Sequence, residues 1–548
     1  MSDAILTRHL LSHGLDLVSD NHKYRKVVAL RPLNKGSVVI TSRPLCNPII
    51  FPTHRAQHCE TCFRTKGIDS SSGTSTTTGT GGGLELERCS VCKKRYYCDR
   101  DCFTVAWKGW HKWICPDKDM EDLDYEMLKM VVISIERLRS GAFKESKQSG
   151  TSAAAAEVAS HGAGEQESLA LTEYVFSTLM GHESISDPAE ITKYRDIATK
   201  IREQLIVAKF PFKSEVSQGE PPSVSELMRY LCRFHCNNFS IHDSQLFTMA
   251  EGTFPVGALF NHSCRPNAIV MYEGQTQVVR ILEDIAVGQE VCTSYVDNGV
   301  QRGERRQLLR GKYYFDCLCP RCGNEESSKT GEKTGFRILD DLIEGGQDGP
   351  DGNKVGGEWL TKQFETIVLP GARSLQVSGP SLQPPTMITR NSFTSYLIHS
   401  LVPLIQTGAP EQEYTERLFE IYSALQTTPH CTPKPFTTTV MTNATSFFNT
   451  SLEHESWALA SKIGTFILAL YLMVYPRHHP LVGLHCFTLA KCLWNDMEGG
   501  MTSVRLSHEI LKLSRNILTV SHGRTGQNGS LVKEVEAFMK TVETELGS

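Results

Sequence analysis

The sequence predicts an α+β multidomain protein, with short strands before residue 300 and helices beyond residue 357. Runs of β-branched residues bounded by Pro and Gly are typical of strands. Cysteine pairs at metal-ligand spacing occur in two clusters, and apolar residues recur at helical periodicity over the C-terminal part. A chain of 548 residues is too long for one ordinary core, so about two to four domains are expected.

The strand predictions concern the N-terminal region and the residues around 280. Residues 27–30 and 37–40 are β-branched runs separated by Pro32 and Gly36, a pattern that favours a hairpin. Further short strands are expected at residues 277–281 and 290–292.

Helical periodicity occurs at residues 122–139 and 191–210, and throughout the C-terminal part. The C-terminal helices are expected at residues 395–406, 410–426, 452–475, 482–495, 503–517 and 530–546. Helix pairs joined by short loops are typical of a tetratricopeptide-like or bundle arrangement, although no clean repeat of about 34 residues is present. Loops rich in Gly, Ser and charge are expected at residues 70–83, 140–168 and 323–357.

Charge and hydropathy narrow the class of protein. Net charge is −4, from 57 basic and 61 acidic residues, which makes direct nucleic-acid binding unexpected. Residues 1–18 lack the continuous apolar core of a signal peptide, and the apolar run at 463–475 is too short to span a bilayer. We therefore expect a monomer inside the cell, in the nucleus, the cytoplasm or both, without membrane contact. In such a reducing compartment 18 cysteines favour metal ligation over disulfides.

The first cysteine cluster consists of four short ligand pairs. Four soft ligands complete a tetrahedral Zn²⁺, so eight ligands predict two zinc ions. The spacing leaves both sequential and interleaved pairing open. Since every ligand is a protein group, the ions would be structural; unrelated buried or free cysteines are the alternative. The ligands are Cys59, Cys62, Cys89, Cys92, Cys98, Cys102, His111 and Cys115.

The second cluster combines one cysteine with three that follow some fifty residues later. Cys264, Cys317, Cys319 and Cys322 supply four thiolates, enough for a third tetrahedral zinc. Such an ion would hold the later segment against the core. The alternative is a catalytic or redox Cys-x-x-Cys motif.

The order of these motifs resembles the SET-domain protein lysine methyltransferases. The block Asn-His-Ser-Cys-Arg-Pro-Asn at 261–267 is followed by Tyr295 in Ser-Tyr-Val-Asp, and then by the Cys-x-Cys-x-x-Cys of the second cluster. Cys-Asn-Asn-Phe at 236–239 and Gly-Thr-Phe-Pro at 252–255 also match in order. The first cysteine cluster narrows the resemblance to the SET-and-MYND branch. It covers residues 20–325 with specific motifs and 357–548 more weakly.

The resemblance implies a β-rich SET core split by an inserted MYND zinc finger, followed by an all-α, tetratricopeptide-like domain. In the finger the pairs interleave: Cys59, Cys62, Cys98 and Cys102 hold one zinc, and Cys89, Cys92, His111 and Cys115 hold the other. The substrate enters a cleft between the lobes. The expected segments are the N-terminal part of the SET domain at 1–58, the MYND finger at 59–115, a helical insertion at 116–230 with a linker at 140–168, the core SET domain at 231–300, a post-SET zinc segment at 301–325, a linker at 326–357 and the C-terminal helical domain at 358–548.

The activity implied by the resemblance is methylation of a protein lysine, in a histone or another protein, with S-adenosylmethionine as donor. Asn261 and His262 contact this cofactor, and Asn237 hydrogen-bonds its amino-acid end. Tyr313 and Phe315 stack near the adenine and close the lysine channel. Tyr295 is the catalytic residue, which orients the amine. Lysine has an ordinary pKa of about 10.4 and must lose its proton, which a desolvated channel beside a sulfonium favours. Alignment of the amine with the methyl group is the main contribution.

The MYND finger implies a protein partner, typically a proline-rich peptide. Aromatic side chains could line a groove for it, or could fill the small core of the finger. These residues are Tyr96, Tyr97, Trp107, Trp110 and Trp113.

One departure from the family pattern motivates an alternative function. Before the segment 29–33 the family usually has two glycines, where this chain has Tyr24 and Lys26. The alternative is a zinc-dependent adaptor whose SET domain is inactive. A DNA-binding zinc protein fits less well, because the finger lacks the Cys-x2–4-Cys-x12-His-x3–5-His spacing.

Overall fold

The computed structural model describes residues 2–19, 25–66, 85–115, 169–183, 187–209, 221–322, 438–526 and 528–547. The predicted α+β class is confirmed: small sheets form the N-terminal part and the C-terminal part is helical. Several predictions lie outside the described residues: Tyr24, the helices at 122–139, 395–406 and 410–426, and the loops at 70–83, 140–168 and 323–357.

Short strands build the N-terminal part in five small sheets of two or three strands. Several pairings join consecutive strands, but β3 pairs with β11 and β4 pairs with β8, which are distant in sequence. The strands are β1 (Leu15–Ser19), β2 (Arg25–Ala29), β3 (Val38–Ser42), β4 (Ile49–Ile50), β5 (Glu87–Arg88), β6 (Tyr96–Tyr97), β7 (Asn238–His242), β8 (Thr248–Thr253), β9 (Asn261–His262), β10 (Ala268–Glu273), β11 (Thr276–Ile281) and β12 (Cys292–Thr293). The strands predicted at 277–281 and 290–292 correspond to β11 and, in part, to β12.

The predicted hairpin of residues 27–30 with 37–40 is wrong. β2 pairs with β1, and β3 pairs with β11. The residues between them run beside a distant segment: Leu33 exchanges backbone hydrogen bonds with Ile285, and the Gly36 amide donates to the Ile281 carbonyl. Pro32 and Gly36 therefore mark the path between two sheets and do not form a hairpin turn.

Helices pack around these sheets and form the C-terminal region. In that region each helix packs on the next, so the lobe is a stack of sequence neighbours. The helices are α1 (Ser2–Ser12), α2 (Arg100–Ala106), α3 (Leu169–Thr178), α4 (Pro188–Val207), α5 (Val224–Asn237), α6 (Arg302–Tyr313), α7 (Thr438–Glu453), α8 (Trp457–Val474), α9 (Pro480–Asn495), α10 (Gly500–His522) and α11 (Gly529–Gly547).

The helix predictions at 191–210, 482–495, 503–517 and 530–546 correspond to α4, α9, α10 and α11. The single helix predicted at 452–475 begins later, because α7 ends at Glu453 and Glu455 takes a left-handed backbone (φ 52°) before α8. Apolar side chains such as Ile467, Leu489 and Leu511 are fully buried in the helical core. None of the described helices combines the length and apolarity needed to cross a membrane.

The helical lobe is joined to the sheets by hydrogen bonds from its side chains to backbone carbonyls. His478 and His522 bond the carbonyls of Leu282 and Ser244, each at 2.8 Å. The Asn528 amide donates to the Tyr272 carbonyl at 3.1 Å. α10 also lies against β10 and β11, which explains why β11 is buried along most of its length.

Candidate active site and metal centres

Tyr295 lies at the centre of a cluster that three distant segments form. It follows β12, and β12 pairs in parallel with β9, placing Thr293 opposite His262. The Tyr295 hydroxyl donates to the Phe260 carbonyl at 2.7 Å, and its backbone N–H donates to His262 Nδ1 at 2.9 Å. The tyrosine is therefore anchored at both ends to the segment that carries the Asn-His pair.

Two further aromatic rings complete the cluster. α6 ends at Tyr313, and Tyr314 adopts a left-handed backbone (φ 58°) that terminates the helix. The Tyr313 ring centroid is 4.8 Å from that of Tyr295. Phe315 lies 6.1 Å from His262 and 6.4 Å edge-on from Tyr295. These rings surround the tyrosine with a largely apolar wall.

Burial within this aromatic wall shifts the pKa values of the titratable side chains inside it. Desolvation raises the pKa of Tyr295, with the neighbouring Tyr313 adding to the effect, and raises the pKa of Tyr313 to about 12. Burial lowers the pKa of His262 to about 4. At neutral pH both tyrosines keep their hydroxyl protons and the imidazole is uncharged.

The two asparagines of the block at 261–267 clamp the start of β12. Asn261 Nδ2 donates to the Arg25 carbonyl at 2.6 Å and to Glu290 Oε1 at 2.8 Å. Asn267 Nδ2 donates to the Glu290 carbonyl, and its Oδ1 accepts from the Cys292 N–H, both at 2.8 Å. Residues 290–292 are thus held from both ends of the block.

Asn237 lies at the C-terminal end of α5, and its Nδ2 donates to the carbonyls of Met180 (3.0 Å) and Arg233 (2.8 Å). Asn237 and Asn261 therefore both use their amide hydrogens within the protein. In the described part of the chain neither Oδ1 accepts a hydrogen bond, so both can accept from a ligand ammonium. Among the described residues, the hydrogen bonds of Asn237 go to Met180 and Arg233 and not to the Tyr295 cluster.

The cysteines assemble into three groups of four ligands, with the ligand atoms of each group within 4.8 Å of one another. The groups are Cys59, Cys62, Cys98 and Cys102; Cys89, Cys92, His111 and Cys115; and Cys264, Cys317, Cys319 and Cys322. In the finger the structure gathers the pairs in the interleaved order that the family resemblance implied.

Sulfur separations favour a metal over disulfides. Cys62 and Cys98 are 3.5 Å apart, Cys89 and Cys115 are 3.6 Å apart, and Cys264 lies 3.9 Å from Cys317. A disulfide requires about 2.05 Å. A tetrahedral ion with Zn–S bonds of about 2.3 Å requires about 3.8 Å between sulfurs. The donor sets thus fit zinc, with every position filled by protein.

Arginines contact the sulfurs of both all-cysteine groups. Arg64 donates to Cys62 Sγ at 3.3 Å and to Cys98 Sγ at 3.2 Å. Arg305, fully buried, donates from Nε to Cys264 Sγ at 3.3 Å. A zinc with four thiolates has a net charge of about −2, which these guanidinium groups partly offset. Sequence reasoning missed both arginines, because nothing in their local pattern separates them from surface charge.

The finger aromatics divide between its core and its surface. Tyr97 and Trp110 are buried, at 2% and 4% exposure, and serve the core. Tyr96, Trp107 and Trp113 are half-buried. The Trp107 ring stacks on Phe103 at 5.7 Å. These three half-buried residues therefore keep part of their surface accessible on the finger.

Comparison with known proteins identifies the fold around this site. A family model described as the SET domain matches residues 25–296, the span that contains β2 through β12 and Tyr295. The fold and site thus define a SET-domain protein.

Individual relatives indicate which SET-domain proteins the chain resembles. Histone-lysine N-methyltransferase ASHR1 of Arabidopsis thaliana is 23% identical over 525 residues, covering 94% of this chain and 95% of that protein. N-lysine methyltransferase SMYD2 is 28% identical over 316 residues in Rattus norvegicus, covering 58% of this chain and 62% of that protein. The human SMYD2 is 27% identical over 328 residues, covering 60% and 64%. The chain thus contains a SET domain and is similar to these lysine methyltransferases.

The matches differ in extent. The chain aligns with nearly the full length of ASHR1 but with less than two thirds of the length of SMYD2.

Proposed function

We propose that this protein transfers a methyl group from S-adenosylmethionine to the ε-amino group of a lysine in a protein substrate, a histone or another protein. The carrying observation is the geometry of Tyr295, whose hydroxyl is pinned to the Phe260 carbonyl inside a wall of Tyr313, Phe315 and His262. The names of the relatives, all lysine methyltransferases, support the same reaction.

The reaction is an in-line displacement. A bond forms between the lysine nitrogen and the methyl carbon as the methyl–sulfur bond breaks, and the sulfonium becomes a neutral thioether. The amine must first lose its proton, and its ordinary pKa is about 10.4. An aromatic, desolvated channel disfavours a second cation beside the sulfonium, so it promotes this loss.

Tyr295 contributes orientation. Because its proton is committed to the Phe260 carbonyl, the hydroxyl oxygen presents its lone pairs to the channel. They can accept a hydrogen bond from the amine and so aim the nitrogen lone pair at the methyl carbon. The raised pKa of Tyr295 keeps the hydroxyl protonated, so it does not act as a base. Alignment of this kind is a large part of catalysis when little covalent chemistry is required.

The donor's amino-acid end would be recognised by the two asparagines. Asn237 and Asn261 both direct their amide hydrogens into the protein, which leaves carbonyl oxygens to accept from an ammonium group. Glu290 fixes one of these amides and brings a carboxylate close to the same place. Tyr313 and Phe315 would supply the apolar faces of the cofactor and lysine sites.

The three metal groups are proposed as structural zinc sites. The third would join Cys264, two residues after His262, to the segment that follows Phe315. Zinc there would hold the aromatic wall against the strand that carries His262. The gathering of cysteines into metal-ligand groups also supports our proposal that the protein resides in a reducing compartment, nucleus or cytoplasm.

The structure bears on the alternative of an inactive adaptor. Lys26 lies in β2 opposite Val18. The carbonyl of Arg25 accepts a hydrogen bond from Asn261. The strand therefore reaches the site without the usual glycine at position 26, which supports an active enzyme. The finger can still recruit a partner, and we propose a proline-rich peptide on the half-buried Tyr96, Trp107 and Trp113.

Replacing Tyr295 with Phe tests the proposal. We expect turnover on a mixed protein substrate pool to fall by about 100-fold or more, since an orienting hydrogen bond is lost. Radiolabelled methyl transfer measures it, with Tyr230→Phe in α5, whose ring stacks on Phe176, as the matched control. Equal turnover in the two variants would remove Tyr295 from the mechanism. Absence of turnover in wild-type protein that binds a finger peptide, with binding lost on Cys98→Ser, would favour the adaptor.

A further inference from the structure

The Cys264 sulfur receives hydrogen bonds from two directions. His262 Nε2 lies 3.2 Å from it, and Arg305 Nε lies 3.3 Å from it. The sulfur is fully buried, and Arg305 is fully buried beside it. A sulfur that accepts two N–H groups in a dry environment has the hydrogen-bonding character of a thiolate.

The His262 tautomer follows from its other neighbour. The Tyr295 backbone N–H is a donor only, so His262 Nδ1, at 2.9 Å from it, has to be the unprotonated acceptor. The single proton of a neutral imidazole is then on Nε2, which faces Cys264. The ring thus joins a metal-ligand sulfur to the backbone of Tyr295 through one directed chain of hydrogen bonds.

We propose that His262 is a positioning residue that couples the third metal centre to Tyr295. This inference rests on the proposed function and adds a role for His262 that contact with the cofactor does not require. While Cys264 is held as a metal thiolate it accepts from Nε2, and this fixes the ring so that Nδ1 holds the Tyr295 amide. When the metal is lost, the Cys264 sulfur is no longer fixed in this position, and the ring loses this restraint. Tyr295 is then held by its hydroxyl alone.

Two substitutions of His262 each remove one of its two hydrogen bonds and keep the other. Asn places an oxygen near the position of Nδ1 but has no group at Nε2, so His262→Asn keeps the bond to the Tyr295 amide and loses the bond to Cys264. Gln places a nitrogen near the position of Nε2 but no acceptor at Nδ1, so His262→Gln has the opposite effect. A half-buried histidine whose ring packs 5.9 Å from Tyr194 provides the matched control, His235→Gln.

The experiment uses the full-length, zinc-loaded protein and two readouts that need no turnover. The first is the rate at which the peptide carrying Cys317, Cys319 and Cys322 is alkylated in the presence of a chelator, followed by mass spectrometry. The second is hydrogen exchange of the Tyr295 amide. For His262→Asn we expect alkylation about 10-fold faster, with the Tyr295 amide still protected while zinc is saturating. For His262→Gln we expect near-normal alkylation and at least about 10-fold faster amide exchange.

Turnover adds a third readout. In His262→Gln we expect kcat to fall more than the affinity for S-adenosylmethionine, because Tyr295 is displaced while the cofactor site remains. Identical behaviour of the two variants, in either readout, would overturn the coupling and reduce His262 to a packing residue. A wild-type protein without turnover would refute the proposed function, yet alkylation and exchange would still decide the coupling. Alkylation of the finger peptides and the His235→Gln protein should match the wild type throughout.

Discussion

Tyr475, the residue that follows α8 of the helical lobe, donates its hydroxyl to Asp297, directly after the span that the SET-domain model matches, at 3.1 Å. Asp297 comes two residues after Tyr295, and its Oδ1 also accepts from the Gly299 N–H at 2.8 Å. The Tyr475 side chain is 5% exposed, and burial raises its pKa, so the hydroxyl stays a donor. The loop after the candidate catalytic tyrosine is therefore braced by the helical lobe.

Tyr475→Phe should weaken this brace. We expect a loss of about 1 kcal/mol in the free energy of unfolding, the usual net contribution of a hydrogen bond, since the Asp297 oxygen can turn toward water. Urea titration followed by fluorescence measures it. Asp297→Asn keeps an oxygen that accepts from Tyr475 and should lose less. A larger loss in Asp297→Asn than in Tyr475→Phe would show that the carboxylate acts through another contact.

Arg321 links the third cysteine group to the same helix end. Its Nη1 donates to the carbonyls of Val474 and Asn298 at 3.0 Å, and the side chain is 4% exposed. Arg321→Met should cost about 2–4 kcal/mol of stability, because buried carbonyls lose their donor. It should also make the junction before residue 438 more sensitive to limited proteolysis. Arg302→Met provides the comparison, since Arg302 is half-buried and donates to the Cys322 carbonyl at 3.4 Å.

An unchanged proteolysis pattern in Arg321→Met would show that the lobes are held together by other contacts. Other bonds across the interface, such as those of His478, His522 and Asn528 to the sheet carbonyls, would then be sufficient to hold it.

The sequence predicts those features of the fold that depend on residues close to one another in the chain, and fails for contacts between distant residues. Ligand pairs such as Cys59 and Cys62 are local, and their spacing alone indicates a metal. α9 and α10 were predicted because apolar periodicity is also local. The partner of β3 is β11, more than 200 residues away, and nothing within residues 27–40 specifies it, so the hairpin prediction failed.

The site shows the same limit. Tyr295 was found through motif order, but its anchor is the carbonyl of Phe260, a backbone atom that any residue would supply. Arg305 is one of four arginines in its helix, and only the fold shows that it is the fully buried one that reaches Cys264. Contacts of this kind are set by tertiary packing, which residue type and spacing do not encode.

Arg305→Met should weaken zinc binding at the third group. Removing the guanidinium leaves the thiolates with less positive charge nearby, and changes next to metal ligands typically cost about 10–100-fold in affinity. Competition with a chromogenic chelator measures this loss as faster release of one zinc in three. Arg310→Met in the same helix is the control, because Arg310 is 56% exposed and pairs with Asp316. Equal release from the two variants would show that Arg305 acts only in packing.

The interface between the lobes should weaken in acid. Burial lowers the pKa of His478 and of His522 to about 4 in the folded protein, against about 6.5 in the unfolded chain. Each residue is 4% exposed or less. Below pH 6.5 these histidines are protonated in the unfolded chain but stay neutral in the folded protein. Their contribution to the free energy of unfolding is therefore fully present above pH 6.5 and is lost as the pH falls toward 4. The slope is at most about 1.4 kcal/mol per pH unit for each histidine.

Urea titrations between pH 7 and 4.5 test this dependence, and His522→Gln isolates one contribution. Its amide can still donate to the Ser244 carbonyl, which His522 reaches at 2.8 Å, but it cannot take up a proton. We expect the variant to lose less stability than the wild type over that range. Acid also releases zinc from thiolates, an effect that is common to both proteins and cancels in their difference. His454→Gln, at an exposed site on the turn after α7, should follow the wild-type curve. If His522→Gln follows it too, the acid sensitivity comes from the metal groups and not from the interface.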